Sequence, residues 1–250
     1  MHNFKGWVRD SYDDRDYHHV VSMQELQALP PLVDLRSTCP AVRDQGQLGS
    51  CTGFAITGML RFNQMKESLP DYPYSELFLY YAEREMEGDP GQDNGAQIRD
   101  GMKVAAKTGV CSESLWPYDI SKFAIRPPDS AYQAAKQHTA LQYARLEQSL
   151  AQMQGRLAQG YPFVFGFVVY QSFESVLVEQ SGVVPMPKRG ESVLGGHAVM
   201  CVGYDMGKKT FLVQNSWGTA WGMNGYFTIP FSYLRSTKLS SDFWTITTVH

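Results

Sequence analysis

The sequence predicts an α+β protein in two lobes. Three observations carry this reading. A chain of 250 residues is enough for one large domain or two lobes around a shared core. Its first half carries helical spacing of apolar residues, and from about residue 140 the pattern changes to short apolar runs typical of strands.

Residues 1–28 form a leader that mixes acidic residues (Asp10, Asp13, Asp14, Asp16) with aromatics (Trp7, Tyr12, Tyr17). It has little periodicity and no apolar core like that of a secretory signal, so it is expected to be irregular. The compartment stays open between cytosol and secretion. Leu29 to Arg36 reads as an extended entry into the folded body, because Pro30-Pro31 excludes helix. Ser50 is expected to cap a helix from Cys51 to about Lys66, and Ser75 a second from Glu76 to about Met86. A third runs from about Gln97 to Lys107 and is stopped by Gly109. Leu141 to Arg145 alternates like a strand, and a short helix over Leu150, Met153 and Leu157 ends at Gly160. The remaining strands are expected at Pro162–Tyr170, His197–Tyr204, Thr210–Gln214, Tyr226–Ile229 and Phe243–Val249. A mainly helical lobe over about 41–139 and a mainly β lobe over about 140–250 follow.

Composition removes several function classes. A net charge of −3 supplies no basic field for nucleic acid. The longest apolar run, Tyr161–Tyr170, contains Pro162 and is far shorter than the roughly 20 residues that span a bilayer. Four cysteines are too few for a disulfide scaffold, so each is read by its own surroundings. Cys201, on an apolar run, reads as a free core thiol; Cys39 and Cys111 either pair or stay reduced. No metal or other cofactor is expected. His18-His19 lacks partners at metal-ligand spacing, and Glu87, Asp89 and Asp93 miss the EF-hand spacing and read as a polar loop. The expected state is a monomer.

The chemistry concentrates on three residues. Cys51 opens a helix, where free N–H groups and the macrodipole favour a thiolate, and small residues (Gly46, Gly49, Ser50) precede it. His197 follows Gly195-Gly196 at the start of the apolar run Ala198–Val202, an unusual place for a titratable ring. Asn215 ends the next strand, so adjacent strands can set the two side chains together. Taken singly, each has a plain structural reading: a buried thiol, a satisfied core histidine, a turn asparagine.

Three blocks together are more specific. Gln45–Cys51, Gly196-His197-Ala198-Val199, and Asn215-Ser216-Trp217-Gly218 through Tyr226 resemble the signature blocks of papain-like cysteine peptidases, the papain/cathepsin family, in the family's order. The spacing from Cys51 to His197 lies inside the family window of about 130–150 residues. The likeness runs from Leu29 onward and is similar to a bacterial, xylellain-like branch. It implies a papain-like two-lobed fold, a helical left lobe and an antiparallel β-barrel-like right lobe with the active-site cleft between. It also implies roles: Cys51 as nucleophile, His197 as general acid and base, Asn215 as its orienter, and Gln45 in the oxyanion hole. Trp217 then shields the His–Asn hydrogen bond, while Gly95 and Ala96 pair with the substrate backbone. Ser241 or Asp242 lies near the floor of the pocket for the residue two positions before the scissile bond.

The departures are local. Leu48 stands at a disulfide cysteine of the family, Thr52 replaces the aromatic residue after the nucleophile, and Ala96 replaces a glycine. The leader occupies the place of a pro-segment without that segment's helical motif. It is expected to lie in or across the cleft, with Trp7, Tyr12 and Tyr17 filling apolar subsites and acidic residues meeting the imidazolium side. The reaction implied is peptide-bond hydrolysis through a Cys51 acyl-enzyme on a peptide or protein substrate. Acyl transfer or isopeptide cleavage at the same site, and a binding module on an inactive protease fold, are the alternatives.

Overall fold

The computed structural model describes residues 6–249; His2 and His250 lie outside the described residues. The leader is not irregular. It holds β1 (Trp7–Val8), β2 (His18–His19) and α1 (Met23–Leu26), the last closed by a capping box between Ser22 and Glu25. The entry segment then forms β3 (Leu32–Asp34) and a single 3-10 turn at Arg36–Thr38.

The helical part contains α2 (Cys51–Lys66), α3 (Glu76–Glu87), β4 (Ala96–Gln97), α4 (Ile98–Lys107) and α5 (Asp129–Ala135). Ser75 caps α3 through its hydroxyl, which accepts from Phe78 N–H, and Gly88 closes it in the left-handed conformation. α2 is buried on most of its circumference, which is why its apolar residues show little one-sided spacing.

The remainder is β5 (Ala140–Leu146), α6 (Leu150–Ala158), β6 (Phe163–Tyr170), α7 (Val176–Ser181), β7 (Val193–Asp205), β8 (Thr210–Gln214), β9 (Tyr226–Pro230), α8 (Phe231–Arg235) and β10 (Ser240–Val249). Eight of the described strands form one sheet in the order β2-β5-β10-β6-β7-β8-β9, with β3 added on β7, and β1 and β4 form a separate two-stranded pair. The sheet is open, running from β2 at one edge to β9 at the other. Its pairings are antiparallel except β2 on β5. The short helices α5, α7 and α8 escape sequence reading because two turns or fewer carry almost no periodic signal.

Two large cores hold the molecule. One packs α2, α3 and α4 against Val164, Ala198, Met200, Trp244 and Ile246 of the sheet, so the helix that begins at Cys51 lies directly on β7 and β10. The other is aromatic and lies on the opposite side of the sheet, around Phe163, Phe165, Phe167, Phe211 and Phe243. A small third cluster joins Leu48 to Leu77, Tyr80 and Ala96, so apolar packing holds the loop before Cys51. All four cysteines are free thiols; Cys51, Cys111 and Cys201 are buried. No helix among the described residues is long and apolar enough to cross a membrane, and these residues gather no group of three or more potential metal ligands. His19 instead sets its Nε2 3.2 Å from Gln159 Oε1.

Candidate active site

Cys51 is the first residue of α2, and its sulfur is fully buried. The preceding Ser50 does not cap the helix with its side chain, contrary to the sequence expectation. Its Oγ lies 2.6 Å from Tyr118 Oη, and Tyr118 in turn donates to Gln45 O at 2.8 Å. The first-turn N–H groups therefore stay available to the sulfur. Ala198 N–H donates to Cys51 Sγ at 3.3 Å, which brings β7 onto the thiol.

His197 precedes Ala198 on β7 and is buried. Its Nε2 donates to Asn215 Oδ1 at 2.8 Å, and that oxygen also accepts from Ser216 N–H at 2.9 Å. The Trp217 ring stacks on the imidazole with centroids 4.9 Å apart and planes 24° from parallel, and Phe167 meets it edge-on. Gln45 is fixed at both ends of its amide: Nε2 donates to Leu48 O at 2.9 Å, and Oε1 accepts from Ser216 Oγ at 2.6 Å. Cys51, His197, Asn215, Gln45 and Trp217 thus converge on one place from three separate parts of the chain.

The leader enters the same place. Ala96 N–H donates to Gly6 O at 3.2 Å, and β1 pairs parallel with β4, Trp7 opposite Ala96. A side chain on Gly6 has no room: its Cβ would come 2.5 Å from Cys51 Sγ and 2.8 Å from Gly49 O. Trp7 lies in a slot between Gly166 and Gly196, where any Cβ would strike the indole. At the slot's end Trp7 Nε1 donates to Asp242 Oδ2 at 3.0 Å. Asp242, and not Ser241, meets the slot, because β10 breaks register after Ser241 and Asp242 takes a positive φ of 59°. Ala96 faces Trp7 across the β1–β4 pairing, whereas Gly95 N–H donates to Tyr80 Oη at 3.2 Å.

Two expectations for the leader fail. Tyr12 and Tyr17 are 93% and 79% exposed and fill no subsite, so Trp7 supplies the aromatic contact. Asp10, Asp13 and Asp16 face arginines instead of the imidazole. Asp16 pairs with Arg99 at 2.7 Å and Arg145 at 3.0 Å, and Asp10 with Arg145 at 2.9 Å. Asp10 also accepts from Trp244 Nε1 and Arg99 N–H.

Burial pushes the Cys51 thiol up to about 12, outweighing the Ala198, Thr52 and Cys51 N–H groups that favour its charge. Burial first, then the nearby Asp242 carboxylate, raises Asp10 from 3.8 to about 6.

A model of the papain family of cysteine proteases matches residues 29–242. The chain belongs to this family. An uncharacterized peptidase C1-like protein of Acanthamoeba polyphaga mimivirus is 45% identical over 212 residues, which is 81% of this chain and 68% of that protein. Among solved structures, xylellain, a cysteine protease from Xylella fastidiosa, superposes with a TM-score of 0.92 at 38% identity, covering 99% of this chain and 97% of that one. Procathepsin B from Trypanosoma congolense reaches 0.77 at 18% identity over 98% of this chain and 86% of that one, a likeness of fold alone. The chain spans 63% of the length of another relative, a cathepsin B-like protein of Giardia intestinalis.

The papain-like site also uses residues that sequence reasoning passed over. Asp93, expected in a polar loop, accepts from Gly49 N–H at 3.0 Å and from Tyr80 Oη at 2.6 Å, holding the loop before Cys51. Ser216, whose only signal in the sequence is its place in the Asn215-Ser216-Trp217-Gly218 block, touches both Gln45 and Asn215.

Proposed function

We propose that this chain hydrolyses peptide bonds with Cys51 as nucleophile. The observation that carries this reading is the joint placement of the Cys51 sulfur at a helix N-terminus, 3.3 Å from Ala198 N–H, with the neighbouring His197 tied to Asn215 at 2.8 Å. Nε2 is committed to Asn215, so Nδ1 is the nitrogen that takes the thiol proton. The thiolate adds to the substrate carbonyl, and the oxyanion is met by the Cys51 N–H and by the second hydrogen of Gln45 Nε2. His197 then protonates the leaving amine as the C–N bond breaks. Water adds to the thioester, its proton returns through His197, and the acid leaves. A neutral amide suits the orienting position. A carboxylate there would compete for the imidazolium, whereas Asn215 fixes the ring and leaves its charge to the sulfur.

The leader gates this site. With Gly6 against Cys51 and Trp7 in the Asp242 slot, a substrate has neither the nucleophile nor the pocket. Its later part is anchored: β2 pairs with β5, and Gln152 both accepts from Val21 N–H and donates to Val21 O. Residues 6–16 can therefore lift away while the chain stays intact, so relief comes by displacement. Once residues 6–16 lift, Asp242 Oδ2 loses its Trp7 and Asp10 donors and can receive a side chain with an N–H at its tip. The pocket then accepts arginine at the second position before the scissile bond, beside apolar residues.

Hydrolysis of a small fluorogenic peptide tests the core of this reading. Cys51→Ala should abolish turnover, and His197→Ala should nearly abolish it. Robust hydrolysis by Cys51→Ala would overturn the assignment. A substrate library run on wild type and Asp242→Ala tests the pocket: loss of arginine acceptance in the variant is expected, and indifference to arginine in both removes that part.

A further inference from the structure

Thr52 stands where papain relatives carry an aromatic residue, and its surroundings give it work. It is fully buried at the second position of α2, and its Oγ1 donates to Glu83 Oε2 at 2.6 Å. Glu83, on α3, is fully buried as well. Gly101 on α4 makes the seat: a Cβ there would strike both Glu83 Oε1 and Ile56 Cδ1. Among the described residues Oε1 meets no hydrogen-bond partner. Three helices thus enclose one carboxyl group whose single hydrogen bond among the described residues goes to the residue after Cys51. The Thr52 N–H is one of the groups that favour charge on the sulfur.

We propose that Glu83 is a positioning residue for the Cys51 chemistry: it holds the Thr52 hydroxyl and so keeps the Thr52 N–H aimed at the sulfur. The inference rests on Cys51 being the nucleophile. A helix N-terminus frays unless something ties it down. Ser50 leaves the first turn without a side-chain cap, and the Thr52–Glu83 bond ties that turn from the inside.

Burial biases Glu83 toward its uncharged form. Burial holds its carboxyl well above the usual range, and Glu87 on the same helix and Asp100 on α4 push the same way. Thr52 and Arg84 oppose them. An ionised Glu83 would oppose a Cys51 thiolate, since its charge acts to raise the thiol. The carboxylic acid therefore serves as a hydrogen-bond acceptor, a task that an amide of the same shape can also perform.

The experiment uses the full chain with Thr52→Val, Glu83→Leu, both together, and Glu83→Gln. Three readouts are taken: kcat and KM on a fluorogenic peptide, the rate of Cys51 alkylation by iodoacetamide against pH, and the melting temperature. Thr52→Val and Glu83→Leu should each lower kcat about tenfold with KM within about twofold, and the double variant should lose no more than either single one. Glu83→Gln keeps the acceptor and should restore kcat to within about twofold of the parent near neutral pH. Additive losses, wild-type kcat in Thr52→Val, or a Glu83→Gln as slow as Glu83→Leu would overturn the proposal. If Glu83→Leu fails to fold, Thr52→Val with Glu83→Gln decides alone. If the parent alkylates at Cys51 but cleaves no peptide, the hydrolase reading fails while the alkylation series still judges Glu83.

Discussion

Gln45 illustrates how the site is built at the scale of single residues. An amide proposed to donate into a transient oxyanion gains from being locked beforehand, because no reorganisation is then left for the reaction itself. Ser216 Oγ and Leu48 O hold it from both sides. Ser216→Ala should therefore lower kcat about tenfold with little change in KM, as steady-state kinetics can check; an effect confined to KM would contradict this role. Asn215→Ala should retain partial activity, since it removes orientation and no proton carrier, and wild-type rates there would argue against it. The residues proposed to carry the chemistry stand out in the sequence because their neighbours resemble a known pattern. Their supports were not. Asp93 and Ser216 act on partners 44 and 171 positions away, and nothing local to either residue records such a partner.

Among elements, the long helices α2, α3 and α4 and the strands β6 to β10 were legible, because their length and apolar spacing lie in their own residues. The leader was not. Its strand β1 is two residues long and takes its conformation from pairing with Ala96–Gln97, far along the chain. The structure makes the leader's fit unusually dependent on one absent side chain. Gly6→Val has no room against Cys51 and Gly49, so it should lift residues 6–16 and raise peptide hydrolysis by the full chain about tenfold or more. An unchanged or lower rate would count against the gate. Removing the Trp7 anchor acts at the neighbouring residue: truncating a buried tryptophan costs about 3–5 kcal/mol, so Trp7→Ala should favour opening by roughly 150- to 4,000-fold. Acid should do the reverse. Asp10 has a higher pKa with the strap closed than in solvent, so closing takes up a proton. Closure is then fully supported below about 4, weakens as pH rises through about 6, and is least favoured above that. Hydrogen exchange of residues 6–16 in Cys51→Ala, corrected for intrinsic rates, should show protection falling from pH 4 to pH 7. Protection that rises over this range would contradict the sign.

At the scale of the whole molecule, the leader ties the helical part to the sheet. Asp16 bridges Arg99 on α4 to Arg145 on β5, and Asp10 and Asp242 crowd the same arginine. Three carboxylates share two guanidinium groups, so removing one cation should be felt in both stability and access. Arg145→Gln should lower the melting temperature by about 4–8 °C, as expected for about 2 kcal/mol in a chain of this size, while raising peptide hydrolysis. A drop in stability without a gain in rate would separate this cluster from the gate. The central claim is narrower: one thiol of four carries the chemistry, by virtue of its helix start and its histidine. Labelling the full chain with an epoxysuccinyl thiol inhibitor, followed by mass mapping of the adduct, tests it most directly. The account predicts modification at Cys51 alone, strongly slowed in His197→Ala, with Cys39, Cys111 and Cys201 left intact; label spread over the other thiols, or undiminished in His197→Ala, would contradict it.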